Sequence, residues 1–270
     1  MLRLRILTAL VGVPLIYAAV VLGPLTFGAF LAFVSVSCTF ELCRLVPGLQ
    51  HRDPLALLAI GWSAILSLRS LVSQPELSVA LISVPLVLSL LLLLTPRGRR
   101  RSFTEWAWTV GGALYVGWLM GHWGLLYMVE GGALLVVFGM FTTFGYDTGA
   151  YFAGRAFGRH KMAPYISPSK TWEGAAGGVA LALGVGLIVR VVAGEIAGSF
   201  PLNLATTVIA ALLIPIAAQL GDLVESALKR SAGAKDAGNS LPGHGGMLDR
   251  FDSLLFAGTM LYFYTLWIAL

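Results

Sequence analysis

The sequence predicts an all-α integral membrane protein with about nine transmembrane helices and a polar cavity that faces the cytoplasm. Of its 270 residues, 57% are hydrophobic and 11% are charged, and the mean hydropathy is +0.84. A soluble domain carries about 25% charged residues. Apolar runs of spanning length recur along the chain, and the basic residues fall mostly on one side of the resulting topology. Composition, apolar runs and charge asymmetry therefore agree on the fold class.

Nine apolar runs are long enough to cross a bilayer as helices, which takes about 17–25 residues. Turn residues such as Gly23, Pro47 and Gln74 separate them. The first run follows two arginines, as in a signal peptide, but no small-residue cleavage site ends it, so a retained helix is expected. The nine runs lie near residues 5–22, 25–46, 55–72, 77–94, 105–125, 132–153, 173–193, 204–228 and 252–269.

The basic residues orient these spans. Sixteen of the 18 Lys and Arg residues fall on the side of the N-terminus, which predicts a cytoplasmic N-terminus and an outside C-terminus. Arg69 and Arg190 lie toward the other side, near helix ends where a long side chain reaches the interface. The 16 are Arg3, Arg5, Arg44, Arg52, Arg97, Arg99, Arg100, Arg101, Arg155, Arg159, Lys161, Lys170, Lys229, Arg230, Lys235 and Arg250.

Polar residues divide the chain into two regions. Residues 1–130, with spans 1–5, carry few of them, and the one acid well inside a span, Glu41, has Arg44 three residues later as a possible partner. Residues 131–270, with spans 6–9, carry the rest and form the predicted catalytic region. Its long loops, 154–172 and 229–251, both lie on the cytoplasmic side, so the chemistry is expected to use cytoplasmic reagents.

The eighth span carries acids inside an apolar segment. Asp222 and Glu225 lie three residues apart and share a helix face, which Ser226 and Lys229 continue. An ionised carboxylate in the membrane needs a partner, a metal or access to water, and is a functional hypothesis by default. The alternative is an interhelical salt bridge or a helix-end charge.

A second acid pair, Asp249 and Asp252, opens the last span. The helix macrodipole alone would favour acids there. However, two such pairs at the cytoplasmic ends of neighbouring helices would converge, and carboxylates with open water positions suit Mg²⁺. Lysines and arginines of the same loop would then bind phosphate oxygens.

The loop before Asp249 combines flexibility with charge. Gly245 and Gly246 would let the backbone approach an anion closely. His244 has three open roles, as a proton acceptor, a phosphate donor or a structural hydrogen-bonder. Lys235 and Asp236 have a surface ion pair as their simpler interpretation.

The sixth span and the loop after it add further polar residues. Asp147 is another acid within a span, among small and hydroxyl residues that indicate an inward-facing position. Ser167, Lys170 and Thr171 lie in the loop, and Glu173 follows as an acid that a helix N-terminus alone would explain.

Several classes are excluded. The chain has no dinucleotide fingerprint, Walker loop, zinc-type Cys/His spacing or Ser/His/Asp order. Cys38 and Cys43 are expected to be small buried residues. Nucleic-acid binding is not expected, because the basic residues line a membrane face.

Three stretches of sequence resemble one family. The run SALKRSAGAKDAGNSLPGHGGMLDRFD, residues 226–252, is similar to the hallmark motif of phosphatidate cytidylyltransferases, also called CDP-diacylglycerol synthases. TTFGYDTG at 142–149 and SPSKTWEG at 167–174 resemble that family's second characteristic region. The resemblance covers about residues 142–252, and residues 1–100 add only a generic membrane match.

The resemblance implies that CTP and phosphatidic acid react to give CDP-diacylglycerol and pyrophosphate. It also implies Mg²⁺, with K⁺ or another divalent ion as an optional second cation, and a homodimer in a bacterial inner membrane that serves phospholipid biosynthesis. The expected metal ligands are Asp222 and Asp249, with Glu225, Asp252 and Asp147 in supporting roles. The other expected catalytic residues are Lys229, Arg230, Lys235, Asp236, His244 and Arg250, and the substrate-binding residues are Ser167, Lys170, Thr171, Gly245 and Gly246.

Two other functions stay open at this point. A transporter for an anionic solute also uses intramembrane acids, but it usually shows paired repeats with matching interruptions, and none is evident here. A different CTP-using lipid enzyme, such as a polyprenol kinase or an ether-lipid cytidylyltransferase, would share the nucleotide chemistry and differ in the lipid.

Overall fold

The structure is a computed structural model that describes residues 12, 14–46, 48–50, 52–95, 103–238, 240 and 245–269. The chain forms two compact units. The first comprises Met1–Leu125 and Ala232–Phe251, and the second comprises Leu126–Ser231 and Asp252–Leu270. The predicted catalytic region from residue 131 onward stays a prediction, because compactness does not test where catalytic residues lie.

Helices of the first unit begin where proline and polar residues favour a start. Pro24, Pro54 and Pro75 each stand in the first turn, where a missing N–H costs nothing, and Asp53 accepts a hydrogen bond from the Leu55 N–H at 2.9 Å. Helical backbone at 14–21 precedes α1. The elements are α1 (Pro24–Leu45), α2 (Pro54–Ser67), a 3₁₀ turn (Arg69–Leu71), α3 (Pro75–Leu93), α4 (Phe103–Ala113), a π-helical turn (Leu114–Trp118) and α5 (Leu119–Tyr127).

The core of the first unit forms around α2. Trp62 and Leu66 are buried there against Val110 and Ala113 of α4. Arg69 is buried in the protein, and its guanidinium lies 3.6 Å from the centroid of the Trp118 ring. Its expected position near the membrane interface stays a prediction. A cation–π contact of this kind favours the interior position.

The second unit is dominated by long helices. Its elements are α6 (Gly132–Phe157), β1 (Lys161–Ala163), β2 (Ser167–Thr171), α7 (Trp172–Ala197), α8 (Leu204–Ser231), α9 (Leu248–Tyr264, whose first turn belongs to the first unit) and a π-helical turn (Thr265–Ala269). Small residues let α6 and α7 approach closely, since a Cβ on Gly149 would lie 2.7 Å from the Gly177 carbonyl oxygen. The interface therefore needs glycine at this position.

A short hairpin interrupts the all-α pattern. The predicted polar loop 154–172 contains β1 and β2, paired antiparallel with Lys161 opposite Thr171 and Ala163 opposite Ser167. Two strands of three and five residues leave the all-α class intact. The hairpin fixes β2 directly before α7.

The helices confirm the membrane class. Within the described residues, six helices are long and apolar enough to span a bilayer: Pro24–Leu45, Pro75–Leu93, Gly132–Phe157, Trp172–Ala197, Leu204–Ser231 and Leu248–Ile268. Pro54–Ser67 is apolar but shorter, and the predicted span 105–125 is divided among α4, the π-helical turn and α5. The predicted span 5–22 lies largely outside the described residues. The total of nine spans therefore stays a prediction.

Candidate active site

Three carboxylates of the second unit converge. One oxygen each from Asp222 and Glu225 on α8 and from Asp252 on α9 lies within 4.8 Å of the others. Glu225 and Asp252 are buried, at 1% and 7% exposed, and Asp222 is half-buried. Three of the four acids in the two predicted pairs therefore lie together.

A glycine allows the two helices to approach each other at this point. A Cβ on Gly221 would lie 2.5 Å from the carbonyl oxygen of Asp252, so a larger residue would separate α8 from α9. Asp252 also accepts a hydrogen bond on Oδ1 from the Ser253 N–H at 2.8 Å. The placement of the Asp252 carboxylate therefore depends on Gly221, the residue before Asp222.

Two lysines neutralise part of the negative charge. Lys229 Nζ lies 2.6 Å from Glu225 Oε2, one helical turn away, and Lys170 Nζ lies 2.5 Å from Asp222 Oδ2. The Ser226 hydroxyl donates to Asp222 Oδ1 at 3.3 Å. The group therefore contains three carboxylates and two ammonium groups, so a bound cation would complete its neutralisation.

The hairpin positions Lys170. The Thr171 hydroxyl caps α7 by accepting a hydrogen bond from the Gly174 N–H at 3.2 Å, which fixes the end of β2 next to Lys170. Arg230 Nε donates to the Ile166 carbonyl in the hairpin turn at 3.3 Å. Thr171 thus has a structural contact, and its predicted contact with substrate stays a prediction.

Glu173 closes the base of the same hairpin. Its carboxylate accepts hydrogen bonds from the backbone N–H groups of Arg159 and His160 at 3.0–3.3 Å, and the His160 ring lies 2.5 Å away. The sequence predicted no more for Glu173 than a favourable interaction with the helix macrodipole. The structure adds a link between the two ends of the loop.

Asp249 lies in the first unit and makes different contacts. Its carboxylate accepts hydrogen bonds from the Gly246 N–H at 2.8 Å and from the Ala237 N–H at 3.1 Å and 3.3 Å. Among the described residues, the group of three convergent acids does not include it. Its assignment as a metal ligand stays a prediction. The contacts with Ala237 and Gly246 stabilise the fold of the loop 232–248.

The remaining predicted residues are more exposed or lie elsewhere. Ser167 is half-buried on β2, Gly245 is half-buried with a φ of +84°, and Gly246 is buried. His244 lies outside the described residues. The exposed residues are Asp147 on α6, Arg230 on α8, Lys235 and Asp236 in the loop, and Arg250 on α9.

Two contacts were missed at the sequence level. Glu41 accepts hydrogen bonds from the Met247 and Leu248 N–H groups, rather than pairing with Arg44, whose guanidinium lies 5.9 Å from the centroid of the Phe40 ring. The Tyr146 hydroxyl donates to Gln219 Oε1 at 2.5 Å, one turn before Asp222. Neither partner is local in sequence, so the only available signal was that Glu41 is a lone acid in an apolar span.

The acidic group fits a hard divalent cation. It offers carboxylate oxygens alone, and magnesium prefers such ligands with water and substrate phosphates completing the octahedron. Zinc would favour sulfur and nitrogen donors, which are absent from this group of three. The donor set of this group thus fits the expected Mg²⁺.

Comparison with known proteins identifies the family. The sequence model of the "Cytidylyltransferase family" matches residues 3–268. The chain belongs to the cytidylyltransferase family. It is therefore a membrane-embedded nucleotidyltransferase, and the acidic group on α8 and α9 lies within the matched region.

Individual relatives share most of the length. A phosphatidate cytidylyltransferase of Bacillus subtilis (strain 168) is 34% identical over 96% of both chains, and one of Staphylococcus haemolyticus is 32% identical over 94% of this chain and 95% of its own. One of Brucella suis biovar 1 is 42% identical over 60% of this chain and 59% of its own.

Proposed function

We propose that the protein is a phosphatidate cytidylyltransferase, which converts CTP and phosphatidic acid to CDP-diacylglycerol and pyrophosphate for phospholipid biosynthesis. The observation that carries this is the group of Asp222, Glu225 and Asp252, with Lys170 and Lys229 beside it, on helices of spanning length. The names of the full-length relatives support the choice of lipid.

The proposed reaction needs positioning more than acid–base chemistry. A phosphate oxygen of phosphatidic acid attacks the α-phosphorus of CTP in line. One P–O bond forms while the bond from the α-phosphorus to the bridging oxygen breaks, and pyrophosphate leaves with that electron pair. The nucleophile is already an anion, so the protein's main tasks are orientation and charge neutralisation.

The carboxylates are proposed to hold Mg²⁺, with Asp222 on the exposed side of the group and Glu225 and Asp252 behind it. Asp249 is the other ligand predicted from the sequence, and Asp147 a supporting one. When bound, the ion neutralises phosphate charge and activates the α-phosphorus toward attack. A second cation, K⁺ or a divalent ion, is part of the proposal through the family resemblance alone.

Basic residues are proposed to bind the phosphates. Lys170 and Lys229 already lie at hydrogen-bonding distance from Asp222 and Glu225, so their ammonium groups are fixed at the edge of the site. The side chain of Lys170 is only 16% exposed, so few water molecules compete with a phosphate for its ammonium group. The exposed basic residues proposed to extend this surface are Arg230, Lys235 and Arg250, with His244 and Asp236 in the same loop.

The membrane arrangement is part of the proposal. We place the protein in a bacterial inner membrane as a homodimer, with the N-terminus cytoplasmic and the C-terminus outside, as the basic residues predict. Both phosphate-bearing substrates would then be reached from the cytoplasm. Labelling of cysteines introduced at Tyr165 and at Ser199, near opposite ends of α7, in a variant without Cys38 and Cys43, tests the orientation in inverted vesicles.

The reaction is tested with purified full-length protein in detergent. Dioleoyl phosphatidic acid and CTP labelled at the α-phosphate are supplied with Mg²⁺ or with EDTA. The label stays with the lipid product, which is quantified by radioactivity, and the unlabelled pyrophosphate is quantified separately. The expected result is equal release of both products, only with Mg²⁺. Asp222→Asn is expected to lower kcat at least about 100-fold, since it removes an interaction made in the transition state. Glu195→Gln, an exposed acid on α7, is the matched control and should keep normal turnover.

The other outcomes are distinguishable. Product from another phosphorylated or hydroxylated lipid, but none from phosphatidic acid, would keep the CTP chemistry and overturn the lipid. No CTP turnover with any lipid would overturn the proposal. Near-normal turnover of Asp222→Asn at low Mg²⁺ would overturn the metal assignment alone.

A further inference from the structure

A carboxylate from α1 organises the beginning of α9. Glu41 is fully buried, and its Oε1 and Oε2 accept hydrogen bonds from the backbone N–H groups of Met247 at 2.8 Å and Leu248 at 2.9 Å. The first N–H groups of a helix have no partner within the helix. Glu41 supplies that partner from 206 residues earlier in the chain.

The turn around this carboxylate has no space for larger residues. A Cβ on Gly246 would lie 2.5 Å from Glu41 Oε2 and 2.9 Å from Asp249 Oδ2, and a Cβ on Gly238 would lie 2.9 Å from Glu41 Cδ. Gly238 and Gly246, from two separate parts of the loop 232–248, therefore both lie against the same buried acid. The local sequence is matched to a carboxylate at this point.

Two acids divide three consecutive N–H groups between them. Gly246 donates to Asp249, whereas Met247 and Leu248 donate to Glu41. Hydrogen bonds to a charged acceptor are stronger than those to a neutral one. Together they fix the peptide planes that lead directly into Asp249 and Arg250.

We infer that Glu41 is a positioning residue for the reaction: its carboxylate holds the first turn of α9, which carries Asp249 and Arg250, in the conformation that turnover requires. This inference rests on the proposed function. A glutamine at this position fits the space but not the chemistry, because its amide nitrogen would face a backbone N–H donor. Charge and two acceptor oxygens are both required.

The test combines hydrogen exchange with kinetics in the full-length protein. Exchange of the backbone amides of Met247 and Leu248 is followed by mass spectrometry without substrate, and kcat and KM for CTP are measured in parallel. Glu41→Gln is expected to speed exchange of the peptide 245–251 at least about tenfold, by loss of a charged hydrogen bond. It is also expected to lower kcat by a similar factor, with little change in KM.

Controls separate positioning from general stability. Leu66→Ala removes a fully buried side chain of the same unit and should lower the melting temperature without selectively exposing 245–251. Glu76→Gln makes the same chemical change at an exposed helix start and should change neither readout. If Glu41→Gln does not fold, Gly238→Ala perturbs the same carboxylate from the other side.

The readouts also separate this inference from the proposed function. Exchange is measured without turnover, so unchanged exchange in Glu41→Gln overturns the inference whether or not the wild type uses CTP. Faster exchange with normal kcat overturns it too, because the turn would then be irrelevant to the reaction. Faster exchange with a lowered kcat, absent in Leu66→Ala, supports it.

Discussion

Removing Lys229 tests the electrostatics of the acidic group most directly. At the observed 2.6 Å, an ion pair with an effective dielectric constant of about 20 is worth about 6 kcal/mol in Coulomb energy. Desolvation of the two ions costs several kcal/mol each, so the pair as a whole is close to neutral for stability. Losing one partner is different, because the Glu225 carboxylate, 1% exposed, then loses the positive charge that neutralises it.

Lys229→Met is therefore expected to lower the free energy of unfolding by about 3–5 kcal/mol. The double variant Glu225→Met/Lys229→Met, which removes both charges, is expected to lie within about 1 kcal/mol of the wild type in stability. Turnover should stay low in the double variant, since Glu225 belongs to the proposed metal site. Lys161→Met, at an exposed position, is the control for loss of a lysine.

Unfolding in mixed micelles of dodecylmaltoside and SDS measures these free energies, with the seven tryptophans as the fluorescent probe. The reasoning is refuted if Lys229→Met costs less than about 1 kcal/mol, because breaking a buried pair should cost more. It is also refuted if the double variant is as unstable as the single one, since removal of the second charge would then give no recovery.

Three further predictions concern the same region. Gly221→Ala should impair both stability and turnover, because its Cβ would meet the Asp252 carbonyl at 2.5 Å. Gly184→Ala, with open space around it, should instead stabilise α7 by up to about 1 kcal/mol. Thermal denaturation compares the two variants. Thr171→Val should lower the free energy of unfolding by about 1 kcal/mol through loss of the α7 cap, whereas Thr171→Ser should keep the cap and the stability; thermal denaturation measures both. Saturating Mg²⁺, at about 100 times its Kd, should stabilise the wild type by about 2.7 kcal/mol and leave Asp222→Asn unchanged, and equal stabilisation of both would exclude Asp222 as a ligand.

The class of fold was predictable because it depends on composition and periodicity. Apolar runs of spanning length identified the six long helices, and the separation of three residues placed Asp222 and Glu225 on one face of α8. The π-helical turn at Leu114–Trp118 and the hairpin were not predicted. Short strands and local helix distortions carry weak sequence signals, because tertiary packing decides them.

The site was predictable only in part, for the same physical reason. Helical spacing relates residues within one helix but gives no distance between helices, so the sequence ranked Asp249 above Asp252. The structure places Asp252 with Asp222, and places Asp249 in the first turn of α9, within the first unit, where its role as a metal ligand stays a prediction. Both acids lie on α9 one turn apart, and which of them faces which neighbour depends on helix rotation, which the sequence does not specify.

The contact between Glu41 and Met247 has a consequence for biogenesis. At a synthesis rate of about 5–20 residues per second, the Met247 amide is made about 10–40 s after Glu41. During that interval α1 carries an acid whose eventual backbone partners do not yet exist. The nascent N-terminal helices must therefore tolerate this acid until the ribosome has added Met247 and Leu248.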